Sequence, residues 1–335
     1  MKNTYFTLYC FLAFFCCFVI TVQAQKHPKA KKVKVKTEKA PKEDDYYDPY
    51  EEEEYMGDIS WKQKGFEFYI GGGAYFASKK TANYYNGAPE NDINLNLLLN
   101  NKYRWEDILY NILKTEYPAM DTAVFRKDYN EDSRYSIAMD VSLGARYRFK
   151  KNWYCDLSYS FRRLSCENKF IFDNPYGIDG NKENPRYTNW EYLIAKEDRH
   201  YIDFSVGYIF QNNPIAKPFI SLGAQFNYIS INSFLAIIEG KPFDLMDYAK
   251  YPNYIPGVDD MPNYRVWKGA GYGFSFTAGL KLAVNQSVSI DPVFQLSVGS
   301  FGNNKRNLPG YYTDLCFNYM VGVRIVINDA MFFKK

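Results

Sequence analysis

The sequence predicts an all-β chain: an eight-stranded antiparallel up-and-down transmembrane β-barrel with long loops at one end, one of them containing a helix. Three observations predict it. Between Phe66 and Ile327, eight segments of eleven residues or more alternate apolar with small or polar side chains. The connections between those segments alternate short and long. The chain is 19% aromatic, with 32 Tyr and 26 Phe, yet hydrophilic on average. That combination suits strands of which only alternate residues meet lipid and whose aromatic girdles mark both interfaces.

The chain opens MKNTYFTLYCFLAFFCCFVITVQAQ. Lys2, the apolar run from Leu8 to Val22 and the small-residue pattern Val22-Gln23-Ala24 make residues 1–24 an expected secretory signal peptide. The run is short for a spanning helix and no charged stop follows it. Bulky Phe14 and Phe15 before Cys16 do not suit a lipoprotein. Residues 25–60 read as a disordered charged tail. KHPKAKKVKVKTEKAPK holds eight lysines against Glu38, and EDDYYDPYEEEEYMGD holds nine acids and no base. Such blocks repel themselves and bury nothing, so the tail is a solvated linker or a tether to a charged partner. An exported chain of net charge +3 is not expected to take nucleic acid. Past Ala24 only Cys155, Cys166 and Cys316 remain, an odd number without regular spacing. Neither a disulfide framework nor a metal site is expected from them, and no cofactor.

The barrel is expected over residues 61–335. Its strands read 66–77, 134–149, 153–165, 200–210, 218–230, 271–284, 288–299 and 312–327. Each reaches the nine to eleven residues that a tilted membrane strand needs. In 134–149 the apolar face is Tyr135, Ile137, Met139, Val141, Leu143, Ala145, Tyr147 and Phe149; the other face begins Ser136, Ala138. KKN, QNNPIAK and NQS are the short turns. Residues 78–133, 166–199, 231–270 and 300–311 are the long loops. An even number of strands lets the sheet close, which removes edges that lipid does not tolerate. A soluble sandwich would wet its second face with Lys, Glu and Thr. Here that face carries Ser142, Gly144, Ser205, Gly207, Ser221 and Gly223, small enough for the interior of a narrow barrel.

The few charges on the small face pair by position. A turn centred on Gln286 sets Lys281 across from Asp291, and one centred on Lys151 sets Arg146 across from Asp156. Cross-strand pairs of opposite charge contribute roughly 0.2–1 kcal/mol at ordinary sites. Glu67, Asp140, Asp203 and Asp314, with Arg148, Arg162 and Arg324, join them inside. A nearly neutral interior of long side chains reads as a plug, since a selective pore shows a ring of one sign.

Function then lies in what projects beyond the barrel. Trp105, Ile108, Leu109, Ile112 and Leu113 follow helical spacing in the longest loop, ended by Pro118, and form an amphipathic helix. Its stripe is either a lid on the barrel or a docking surface for a protein partner. The third loop, with Phe243, Leu245, Met246, Tyr248, Tyr251 and Tyr254, suits either purpose. No catalysis is expected. His200 falls at the outer edge of its strand, but a lipid-hydrolysing barrel pairs such a His with a Ser two residues away, and here Ile202 stands there. The sequon at Asn285 sits in a tight turn that explains the residue without a glycan.

The segment 65–327 resembles the small outer-membrane β-barrel superfamily of Gram-negative bacteria, the OmpA/OmpX-like group. MVGVRIVI (320–327) matches its assembly signal at Gly322, Ile325 and Ile327 and departs at Met320. The Phe-rich signal and Tyr-rich loops resemble proteins of the Bacteroidetes. The resemblance implies an outer-membrane location with both termini and the short turns in the periplasm. It also implies contact with lipid and a non-enzymatic role as structural or assembly partner of an outer-membrane complex, with accessory barrels of type IX secretion and gliding as the finer expectation. With that phylum, Asp121-Thr122-Ala123 would make Thr122 a glycosylation candidate. The alternatives are passive transport of small apolar molecules and, further off, lipid hydrolysis.

Overall fold

The computed structural model describes residues 65–99, 126–129, 132–150, 152–174, 187–210, 216–238, 240–250, 267–285, 287–302 and 314–328. The expected signal peptide, the charged tail, the helix from Trp105 to Leu113 and Thr122 lie outside the described residues. Ten strands form one sheet: β1 Gly65–Phe76, β2 Arg126–Tyr129, β3 Ala138–Arg148, β4 Trp153–Asn174, β5 Tyr187–Ile209, β6 Ala216–Ile238, β7 Lys241–Asp244, β8 Trp267–Ala283, β9 Val288–Gly299 and β10 Cys316–Asn328. Eight of them close a ring in the order β4-β3-β1-β10-β9-β8-β6-β5, and β5 returns to β4. Every pairing is antiparallel. Each wall strand pairs with its sequence neighbours in the wall, and β10 closes on β1 through Phe68↔Ile327 and Ala74↔Val321. Among the described residues three short α-helices, α1 Lys79–Ala82, α2 Leu95–Leu99 and α3 Leu245–Lys250, lie at the loop end.

The outward face carries a continuous apolar belt. Ile70, Met139, Leu157, Phe204, Leu222, Phe274 and Phe317 are all more than half exposed. On β5 the belt runs from Phe210 to Ile202, with His200 next, and turns charged at Asp198 and Lys196. The ten steps from Phe210 to His200, at about 3.3 Å each and a tilt near 40°, give a belt roughly 25 Å tall, the height of a lipid-facing band. Aromatic pairs mark both rims. Phe66–Tyr147 (4.7 Å between centroids) and Trp153–Tyr208 (5.2 Å) stand at the turn end. Phe76–Tyr319 (4.6 Å) and Phe161–His200 (5.2 Å) stand at the loop end.

Above the belt the wall inverts. β4, β5 and β6 continue past the rim with charged residues outside (Arg163, Glu167, Lys196) and apolar ones inside (Leu164, Phe170, Leu193, Ile231, Phe234). Most of the expected loop 166–199 is therefore strand. A bulge lies between Lys196 and Glu197, where Lys196 pairs with Ser233 and Glu197 with Ile231. The skipped Asn232 bonds Asp198 outside at 2.8 Å, which re-aims the wall without breaking the ladder. The short strands β2 and β7, absent from the sequence reading, pair with β4 and β6 in this extension. Inside it, Tyr84, Tyr85, Ile93, Leu95 and Leu98 from the first loop pack with the wall as one apolar core.

Two details depart from the alternation expected of 134–149. The β3 ladder begins at Ala138, and Ser136 and Ile137 are both exposed. The phase shifts there, so Tyr135 bridges Cys166 and turns to the interior rather than joining Ile137 outside, and Ser136 does not line the inner face.

Three inward glycines have a specific cause. Gly144, Gly207 and Gly279 stand directly across from Tyr69, Tyr154 and Phe219. A Cβ at these glycines would lie 2.4, 2.2 and 2.5 Å from a ring carbon of that aromatic. Each ring lies over a neighbour without a side chain, as aromatics cover glycines in curved sheets. Gly207→Ala should therefore lower the unfolding free energy in urea titrations from lipid vesicles by about 1–3 kcal/mol. The same substitution in a Tyr154→Leu background should cost less than half as much, because the ring it meets is gone.

Candidate functional site

The interior of the ring is filled in tiers. At the turn end β3 places Arg146 on the axis, fully buried. It lies 3.4 Å from a carboxylate oxygen of each of Glu67, Asp156 and Asp291. Its guanidinium lies 4.5 Å from the centroid of Tyr154 and 5.0 Å from that of Phe219, two of the rings that the glycines admit. Tyr69 donates its hydroxyl to Asp156 at 2.7 Å, and Ser289 donates to Asp291 at 2.8 Å. Lys281 reaches Glu67 at 2.8 Å, and Arg148 reaches the other oxygen of Glu67 at 3.4 Å.

The sequence-predicted pairs fall within this tier. Arg146 stands opposite Asp156 in the β3–β4 ladder. The β8–β9 pairs Gly279↔Val293 and Leu282↔Ile290 share the register that sets Lys281 opposite Asp291. The contacts nevertheless differ from two separate pairs. Lys281 bonds Glu67 from β1, and Asp291 meets Arg146 across the barrel, so the four residues form one cluster through Glu67.

In the next tier Arg162 donates Nε to Asp140 at 2.5 Å and an Nη to Gln295 at 3.2 Å. It lies between Tyr75 and Tyr201, 4.1 and 4.2 Å from their centroids, and the two hydroxyls share a bond of 2.7 Å. Gln225 donates to both oxygens of Asp203, at 2.9 and 3.1 Å. The third tier centres on Arg199, which donates to Glu197 at 2.6 Å and to Thr81 of the first loop at 2.9 Å. Tyr85, also from that loop, donates to Glu197 at 2.5 Å. This tier ties the first loop to the wall beneath the apolar core.

Sequence reasoning missed Glu197, Arg199 and Lys217 because it began those strands at His200 and Pro218. Alternation does not mark 190–199, because Trp190, Tyr192 and Ile194 face out while Glu191, Glu197 and Arg199 face in. Asp314, expected inside, precedes β10 and is exposed. Among the described residues the buried charged side chains are seven acids and seven bases. Of the third-loop residues, Phe243, Leu245 and Met246 are buried in the apolar core. The Tyr248 side chain, Tyr251 and Tyr254 lie outside what is described.

His200 faces the loop-end rim. Its Nδ1 shares a 2.7 Å hydrogen bond with the hydroxyl of Tyr159, and Phe161 and Tyr228 flank its ring at 5.2 and 5.6 Å. Asp198, two residues earlier, is held by Arg163 and Asn232. The imidazole thus meets a phenol and aromatic faces where a nucleophile would stand. Asn285 accepts the backbone N–H groups of Ser287 and Val288 at 2.8 Å each, a side-chain turn that accounts for its place.

No protein-family model matches the sequence, and no curated protein is similar to it. Among solved structures the chain is similar to Neisserial surface protein A, at 10% identity and a TM-score of 0.36 over 78% of this chain and 96% of that one. It is similar to OprG of Pseudomonas aeruginosa at 10% identity and 0.32, over 79% and 97%. It is also similar to Ail of Yersinia pestis, solved with a heparin analogue, at 12% identity and 0.30, over 78% and 99%.

Removing one member of a buried charge cluster costs about 3–5 kcal/mol. Arg146→Leu removes the guanidinium that the three buried carboxylates share, so it should lower stability to urea by that amount. Arg163→Ala, at an ion pair whose arginine side chain is 68% exposed, should change it by less than about 1 kcal/mol. Equal losses would mean that the interior charges are not acting as a cluster.

Proposed function

We propose that this chain is a non-enzymatic integral outer-membrane barrel, closed to ions, that acts as a structural or assembly partner of an outer-membrane complex. The observation that carries this reading is the filled interior. Three tiers of bonded charges and aromatic rings, roofed by the apolar core of the first loop, leave the barrel as an anchor. In this reading the termini and the short turns face the periplasm and the extension of β4–β6 stands outside the cell. The sequence resemblance points the finer reading toward type IX secretion or gliding machinery.

The surfaces offered to a partner are the amphipathic stripe of Trp105, Ile108, Leu109, Ile112 and Leu113, the charged tail, and the outer wall of the extension. On that wall Trp190 is 55% exposed above a line of polar residues that separates it from the apolar belt. An exposed Trp that stands beside Ile171 and Tyr192 suits a protein interface, where aromatic anchors dominate binding energy.

Two measurements test the proposal. Purified protein in planar bilayers should show no steady single-molecule current; a sustained current would end the closed-barrel reading. Tagged protein drawn from native outer membrane should bring down a specific partner. That partner should be lost on deletion of 26–60, in a Trp105→Ala/Ile108→Ala double variant, or in Trp190→Ala. The barrel alone in every sample would reject the assembly role.

A further inference from the structure

The line of polar residues between the apolar belt and Trp190 carries charge of mainly one sign. Two rungs of the wall make it. In the lower rung Arg163 of β4, Asp198 of β5, Ser230 of β6 and Lys268 of β8 stand side by side, each paired directly with the next. In the upper rung Ser165, Lys196 and Ser233 do the same on β4, β5 and β6. These side chains face outward, since Arg162, Arg199 and Ile229, their neighbours in the chain, are buried inside.

The two rungs thus hold three bases against one acid, and that acid is already engaged. Arg163 donates Nε and one Nη to the two oxygens of Asp198, at 2.8 and 3.1 Å. Asn232, put outside by the bulge, donates to the second of those oxygens at 2.8 Å. Arg163, its side chain 68% exposed, keeps its other Nη for a further acceptor. Lys196 and Lys268 are exposed and form no ion pair among the described residues. Glu167, the next acid up β4, bonds neither of them.

Position gives this charge its meaning. The rung immediately below is Phe161, His200 and Tyr228, the top of the belt. The Arg163 guanidinium lies 5.8 Å from the centroid of Phe161. Neighbouring strands lie about 4.8 Å apart, so the three bases span about 14 Å across the wall. They begin one rung above the hydrocarbon, where a lipid whose chains lie on the belt holds its headgroup. Guanidinium and ammonium groups suit phosphate oxygens, and bases at this depth attract anionic lipid.

We infer that this rim binds the phosphorylated headgroup of a lipid in the leaflet that meets the loop end. Arg163, Lys196 and Lys268 take its phosphates, and its acyl chains lie along Phe161, Tyr228 and Ile202. Such a site needs the belt to face lipid, as in the reading above, and is independent of any assembly role.

Native mass spectrometry can count the lipids retained by the full chain refolded in neutral detergent micelles. The micelles are doped in turn with diphosphoryl lipid A, monophosphoryl lipid A and phosphatidylcholine. Diphosphoryl lipid A should be retained saturably and more tightly than monophosphoryl lipid A, with phosphatidylcholine well behind. Lys196→Gln and Lys268→Gln should each weaken retention about fivefold, and the double variant about thirtyfold. Both lysines are exposed, so the barrel still folds. Trp190→Ala, on the surface offered to a protein, should leave retention unchanged, which separates failure of this site from failure of the assembly role. Equal retention of the three lipids, or retention unchanged in the double variant, would overturn the lipid site. So would displacement of lipid A by an equal concentration of inorganic phosphate, which would assign the bases to a free anion.

Discussion

Arg146 is the point on which the barrel turns. A guanidinium on the axis of a narrow closed sheet has lost its water, and nothing but the surrounding wall can replace it. Three carboxylates from three other strands do so, β1 with Glu67, β4 with Asp156 and β9 with Asp291. The strands are tilted, so these residues are not all ladder neighbours of Arg146. Glu67 and Asp156 are its ladder neighbours, and Asp291 meets it only when the ring is closed with this stagger. A slip of one residue in any of those strands would turn its carboxylate out to lipid. The cluster is thus a register lock: its net energy is modest beside its desolvation cost, but each wrong register strands a charge.

That constraint explains the small inner face. Stacking Tyr154 and Phe219 over Arg146 requires each ring to lie across the next strand, and a strand so covered cannot carry a side chain there. Gly207 and Gly279 are the result, as Gly144 is for Tyr69. The same residues make the belt possible. With the interior closed by charge and rings, most apolar side chains of the spanning segments are free to face outward.

Much of this was legible in the sequence, and what was not shares one physical cause. Alternation, turn lengths and the mirror placement of Arg146–Asp156 and Lys281–Asp291 about their turns locate the ring and the turn-end charges. Those signals are local to a hairpin. The joining of the two pairs through Glu67 is set by the closure of β1 on β10 and the stagger of the ring, which no hairpin contains. The other omission came from polarity. A reading tuned to apolar-out strands stops at Ser165 and starts again at His200, because both faces of 190–199 are mixed: Trp190, Tyr192 and Ile194 face out with Lys196 and Asp198, and Leu193 and Ala195 face in with Glu191, Glu197 and Arg199. Lipid and water demand opposite faces of the same wall, so one strand carries two patterns.

The inversion also bears on where function can reside. Within the belt, a partner or substrate would have to displace bonded charge from a desolvated interior, at a cost of several kcal/mol for each group. In the extension the first loop is held to the wall through Thr81 and Tyr85, while the outer wall carries Trp190 with Ile171 and Tyr192 beside it, and Arg163 and Lys196 nearer the belt. Change is cheapest on that wall and in the loops above it, where side chains meet water and no register depends on them. A chain built so invests its specificity in a fixed core and leaves recognition to the surfaces that the core holds in place.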